Sequence, residues 1–123
     1  MNKAICILGL LLFCNGSYAE GYFKTGNDFL QWSTDQNTRG MATAFIMGIV
    51  DAETNAYQIE KIITKNKLTR NYFCTPDGVV GKQVTDVAQK YITDHPESRH
   101  FAAAVLARIA FITTWPCDDN PYK

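Results

Sequence analysis

The sequence predicts an all-α fold: a small four-helix bundle in which one disulfide staples the C-terminal helical hairpin. Three observations carry that expectation. Amphipathic runs at helical spacing follow one another along the chain, separated by short turn signals. Cys74 and Cys117 bracket a Pro-Gly turn, an amphipathic run, a His-Pro break and an Ala-rich apolar run ending at Pro116, so a bond between them makes that stretch return on itself. Residues 1–19 read as an export signal, which places both cysteines in an oxidising compartment. The chain-entropy account puts a staple closing a loop of this size at about 4 kcal/mol, an upper value, against the roughly 5–15 kcal/mol of a whole domain.

The signal reading rests on a positive start at Met1–Lys3, an apolar run from Ala4 to Phe13, and small residues in Ser17-Tyr18-Ala19 for cleavage after Ala19. That run is too short to span a bilayer as a helix. A lipid anchor at Cys14 is disfavoured by Phe13, which stands where a small residue belongs. Cleavage would leave 104 of the 123 residues as one domain, residues 20–123, expected in the periplasm without a membrane anchor. It also removes Cys6, Cys14 and Lys3, leaving two cysteines and 11 basic against 12 acidic groups from the original 12 and 12. A balance that near to neutral offers no basic excess for nucleic acid, so a protein or small molecule is the expected partner.

In order, Thr25-Gly26-Asn27-Asp28 supplies an N-cap and first-turn acid for a short helix carrying Phe29, Leu30 and Trp32. A polar turn leads to a second helix over about Arg39–Ile63. Met41, Phe45, Gly48, Ile49, Ala52, Ala56 and Ile59 share one face of it, read as core, and Ile46, Val50 and Tyr57 lie opposite. An apolar arc that wide fits either a central helix or a subunit interface, and Gly48 invites a search for a close neighbour. The third helix is expected over Gly81–Thr93 on Val84, Val87, Ala88, Tyr91 and Ile92, stopped by His95 before Pro96. Pro96 suits the first turn of a fourth helix that would bury Phe101, Ala104, Val105, Ile109 and Ile112. Between the second and third helices, Lys61–Tyr72 turns basic and loses periodicity. It is either a presented loop tethered at Cys74 or a solvated charged tip.

No constellation points to catalysis. Cys74 with His95 or His100 is the one possible thiol–imidazole pair, and an exported cysteine with a single partner is better explained as half of a disulfide. His95 and His100 stand five apart across a proline, without metal-ligand company, so no metal and no cofactor is implied. Arg108, a charge within an apolar helix, needs either a partner or a route to solvent.

Taken together, G-N-D-F-L, M-G-I-V-D-A, F-C-T-P-D-G-V, D-H-P-E-S-R-H and the final W-P-C resemble the immunity proteins that protect bacteria from type VI secretion amidase effectors, the Tai proteins grouped with the Rap immunity family. The resemblance spans nearly all of residues 20–123. It implies a small periplasmic helical protein, commonly a homodimer, that binds a cognate cell-wall amidase and blocks its active site with a projecting loop. On that basis Lys65, Asn66, Lys67, Leu68, Thr69, Arg70 and Asn71 become the candidate effector contacts, and Ile46, Val50 and Tyr57 the candidate dimer interface. The cysteines some relatives carry in the first two helices are absent, with Trp32-Ser33 and Ala44-Phe45 in that region. A small periplasmic acid-stress chaperone is the alternative reading, although the sequence holds no particular acid trigger.

Overall fold

The computed structural model describes residues 24–65 and 71–118. Among them are four α-helices, α1 (Gly26–Thr34), α2 (Arg39–Ile63), α3 (Gly81–Asp94) and α4 (Ala103–Thr114), with a 3-10 turn at Pro96–Ser98. The only strand-like pairing in the described residues is an isolated antiparallel bridge from Thr25 to Ala102. The fold is all-α, and Cys74 and Cys117 are bonded with their Cα atoms 5.0 Å apart, as the sequence predicts.

The start of α1 shows how these residues choose helix and turn. The Asp28 N–H donates to the Thr25 hydroxyl at 3.3 Å, and the Thr25 N–H donates to the Asp28 carboxylate at 2.8 Å, a capping box. The Thr25 N–H, then its hydroxyl and the charge of Lys24, hold the Asp28 carboxyl below its ordinary range against partial desolvation. Stability from this cap is therefore present above the unfolded carboxylate value of about 3.9 and is lost as pH falls through the lowered one. Two further donors of the first turn, the N–H groups of Gly26 and Asn27, reach the carbonyls of Phe101 (3.0 Å) and Arg99 (3.1 Å), and the Ala103 N–H donates to the Lys24 carbonyl at 2.8 Å. The start of α1 and the approach to α4 thus satisfy each other.

That exchange explains where α4 begins. The expectation of a helix from Pro96 is corrected to a 3-10 turn followed by a bend, with α4 starting at Ala103. The carbonyls of Arg99 and Phe101 are committed to α1, and the Arg99 side chain turns back to the Ile92 carbonyl (Nε, 2.9 Å) and the Thr93 carbonyl, capping the last turn of α3. Backbone groups spent in this way are not available to continue a helix.

The buried faces of α2 and α4 also differ from expectation. In α2, Ala42 and Ile46 are buried, with Phe45, Ile49 and Val50 packed at the margin of the core, while Met41 (54% exposed), Gly48, Ala52, Ala56 and Ile59 (56%) face out. Phe45 meets Phe29 and the edge of Trp32 on α1, with ring centroids 6.4 and 6.1 Å apart. In α4 the inward residues are Ala103, Leu106, Ala107, Ala110 and Phe111. Phe101, Val105 and Ile109 are exposed, and Ala104 and Ile112 are half-buried. The first half of α2 and most of α4 are apolar nearly all round, so a 3.6-residue period fits two faces, and burial goes to the face whose small side chains admit the neighbouring helix most closely. Ala103, Ala107 and Ala110 do this for α4, and Ala88 does it for α3, making α3 against α4 the most extensive helix contact. On α3 the expectation holds, with Val84, Ala88 and Ile92 buried and Val87 and Tyr91 at the margin.

Glycine is required at Gly26, where a Cβ would lie 2.7 Å from Leu106 Cδ1 and 3.0 Å from the Arg99 carbonyl oxygen. At Gly48 a Cβ would meet nothing within 4 Å, so the close neighbour sought for it is not among the described residues. Gly26→Ala is expected to lower unfolding free energy by about 1–3 kcal/mol in urea titration, the usual cost of overpacking. A change under about 0.3 kcal/mol would contradict the tight seat. For the chain without residues 1–19, thiol titration after denaturation without reductant is expected to find none free. Two free thiols would remove the staple.

Candidate functional site

The connection from α2 to α3 leaves at Thr64–Lys65 and returns at Asn71. The Thr64 N–H and hydroxyl both donate to the Glu60 carbonyl at 2.8 Å, and Lys65 adopts left-handed backbone at φ 52°, which turns the chain off the helix axis. Of the expected effector contacts, Lys65 is exposed and Asn71 half-buried. Asn66, Lys67, Leu68, Thr69 and Arg70 lie outside the described residues.

The base of this connection is built from residues that are described. Phe73 is buried with its ring 5.2 Å from that of Phe111, which stacks in turn on Trp115 at 5.9 Å. The Cys74 N–H donates to the Trp115 carbonyl at 2.8 Å beside the disulfide. The returning strand is therefore fixed to the end of α4 by a covalent bond, a hydrogen bond and an aromatic contact. One residue earlier, the ring of Tyr72 lies 5.2 Å from the Arg108 guanidinium. Arg108 also pairs with Glu53 of α2: Nε is 3.0 Å from Oε1, and Nη2 donates to Oε2 at 3.3 Å. Nε is close but out of line for a hydrogen bond, so that contact is mainly an ion pair. The need for a partner that the sequence signalled at Arg108 is met by Glu53 and Tyr72, neither of which the sequence singles out.

Beside this junction an open groove of about 380 Å³ is lined by Tyr72, Val105, Arg108, Ile109 and Ile112. Its walls are aliphatic and aromatic, and its one charged group already has a counterion. Such a surface can receive an apolar side chain, and its described lining includes no carboxylate or imidazole to move a proton. A second cleft, of about 520 Å³ between α2 and α3, is lined by Arg39, Thr43, Lys82, Thr85, Asp86 and Gln89. There Lys82 is paired with Asp86 at 2.5 Å, Thr85 Oγ1 donates to the Gly81 carbonyl at 2.8 Å, and Arg39 Nε donates to the Ser33 carbonyl at 3.3 Å.

The histidines sit at helix ends. The ring of His95 stacks on Tyr91 at 4.0 Å and its Nδ1 lies 2.7 Å from the Tyr91 carbonyl, capping α3. Nearby, the Lys90 ammonium, and to a lesser degree the charge of His95, lower the pKa of the exposed Asp94. His100 packs on Phe101 at 4.1 Å. Among the described residues no group of three His, Cys, Asp or Glu side chains is placed to hold a metal ion.

The expected interface residues are not brought together on one outer surface. Ile46 is fully buried inside its own chain and is withdrawn as a subunit contact; Val50 and Tyr57 are half-buried. The apolar side chains that α2 does present are Met41, Met47 (43% exposed), Ile59, Ile62 (77%) and Ile63 (74%). No described helix is long and apolar enough to cross a membrane.

Residues 25–117 match a family model of Rap1a immunity proteins. No curated protein and no solved structure matches the chain.

The Glu53–Arg108 pair is about one-fifth to two-fifths exposed, so its contribution is discounted for solvent screening. In a double-mutant cycle with Glu53→Gln and Arg108→Leu, urea unfolding is expected to give a coupling of about 1 kcal/mol. Strict additivity would show that the two side chains do not hold each other.

Proposed function

Given that the chain belongs to the Rap1a immunity proteins, we propose that it binds a cognate peptidoglycan amidase delivered by type VI secretion and occludes its active site in the periplasm. The producing cell is thereby protected from its own or its siblings' toxin. The family match over residues 25–117 carries this reading, and the export signal read in residues 1–19 supports the compartment. Occlusion asks no chemistry of the inhibitor. It asks for a surface that fills a cleft, excludes substrate and is rigid before binding, because ordering a loop at the moment of association subtracts from affinity. The connection over Lys65–Asn71 is the leading contact, since its returning end is fixed by Tyr72, Phe73 and the Cys74–Cys117 bond.

The same reading includes a homodimer on the outer face of α2. At 25 residues α2 is about 37 Å long, against about 18 Å for the 12 residues of α4, and its C-terminal part carries Ile59, Ile62 and Ile63 exposed, with no cover among the described residues. An apolar stripe along a helix favours a partner helix, and the bare Cβ space at Gly48 would admit its backbone closely.

Replacing Leu68, Arg70 and Asn71 together by Ala is expected to raise the dissociation constant for the cognate amidase by orders of magnitude, with the circular dichroism spectrum unchanged. Undiminished binding would move the contact elsewhere, and failure of the unaltered protein to bind would end the amidase reading. Ile59→Glu with Ile62→Glu is expected to give a folded monomer by light scattering. A wild type that is itself monomeric at high concentration would exclude the dimer.

A further inference from the structure

Two apolar surfaces lie uncovered among the described residues, and they belong to different helices. One is the end of α2, where Ile59, Ile62 and Ile63 recur at helical spacing. The other is the groove on the outer face of α4, where Val105, Ile109 and Ile112 form a stripe bordered by Tyr72. Ile59, Ile62, Ile63, Tyr72, Val105 and Ile109 are each between 39% and 77% exposed.

One copy cannot bring these two surfaces together. The side of α2 that meets the rest of the fold carries Glu53, paired with Arg108 of α4, and half-buried Tyr57, after which every residue of the helix is exposed. At 3.6 residues per turn Ile62 stands about 180° round the helix from Glu53, so it points away from its own α4. The stretch from Glu53 to Ile63 carries that outward edge about 15 Å along the axis. The groove, for its part, suits an apolar guest. Its one charge, Arg108, is neutralised by Glu53, so covering it strands no unpaired ion.

We propose that the groove of Tyr72, Val105, Ile109 and Ile112 is the seat for the end of α2 from a second copy of this chain, two copies exchanging Ile59, Ile62 and Ile63 about a twofold axis. This rests on the homodimer reading and adds its receiving surface: α2 meets α4 of the partner, not its α2. Every copy carries both halves of the contact, which is what a self-complementary twofold interface requires. The six exposed residues offer roughly 650 Å² per copy, so a reciprocal seat buries about 1,300 Å², within the range of stable interfaces. The partner helix also closes over Tyr72, two residues before Cys74, so each copy completes the other's surface beside the disulfide.

The test follows the dimer of the mature chain by analytical ultracentrifugation. Ile62→Glu and Ile109→Lys, each at an exposed position, are expected to raise the dimer dissociation constant at least about a hundredfold, with the circular dichroism spectrum unchanged. A chain carrying both substitutions is expected to return to within about tenfold of the unaltered protein, because the new carboxylate of each copy meets the new ammonium of its partner. Added salt should weaken that recovered dimer. If either variant does not fold, cross-linking carries the test: Ile62→Cys and Ile109→Cys chains, mixed and oxidised, are expected to give a linked pair containing one of each. A dimer that survives Ile109→Lys, or linked pairs from Ile62→Cys chains alone with none from the mixture, would place α2 against α2 and overturn the proposal while the homodimer stands. An unaltered protein that is monomeric at high concentration would end the homodimer, and the proposal with it.

Discussion

The bond between Cys74 and Cys117 ties the strand that enters α3 to the strand that leaves α4, and most of the remaining architecture is arranged around that closure. It fixes the outer ends of a hairpin whose helices approach through Ala88 on one side and Ala103, Ala107 and Ala110 on the other. Phe73 can then reach Phe111 and Trp115, so the tether is backed by an aromatic cluster instead of standing alone at the surface. A chain of this size buries a modest apolar area, and a cross-link that limits the unfolded ensemble makes up part of the difference. The same closure gives the α2–α3 connection a fixed end, which is the feature an occluding loop needs.

At its other end the hairpin turns through His95–Ala102, where hydrogen bonds tie it to the start of α1. The N–H groups at the start of α1 use the carbonyls of Arg99 and Phe101, and Arg99 in turn caps α3. The His95–Ala102 segment is thus a junction serving three helices. The disulfide at one end and the turn at the other hold α1, α3 and α4 together and leave the C-terminal half of α2 the least covered part of the described helices. The N-terminal half of α2 packs on α1 and α3, and its C-terminal half extends past them.

How much of this was legible in the sequence depended on what kind of signal each element carried. The cap at Thr25–Asp28, the limits of α2 and α3, and the disulfide follow from local chemistry or simple counting, and they stand. The faces of α2 and α4 do not follow, because A-A-A-V-L-A-R-I-A-F-I is apolar on every side and its small residues score as weak hydrophobes while deciding how closely helices meet. The late start of α4 depends on carbonyls claimed by a helix some seventy residues earlier, which no local reading contains. In the candidate site, Arg108 announces a need by being charged among apolar neighbours. Glu53 and Tyr72 answer it from 55 and 36 positions away, and their assignment requires the fold.

Inhibition by occlusion makes a stoichiometric demand that neither catalysis nor a chaperone makes. The most direct measurement is the rate of peptidoglycan amide hydrolysis by a candidate cognate amidase, with the mature protein titrated against it. The account predicts that turnover falls linearly and is extinguished near one protein per enzyme, with no peptidoglycan cleavage by the protein alone. Full turnover in the presence of excess protein would contradict it.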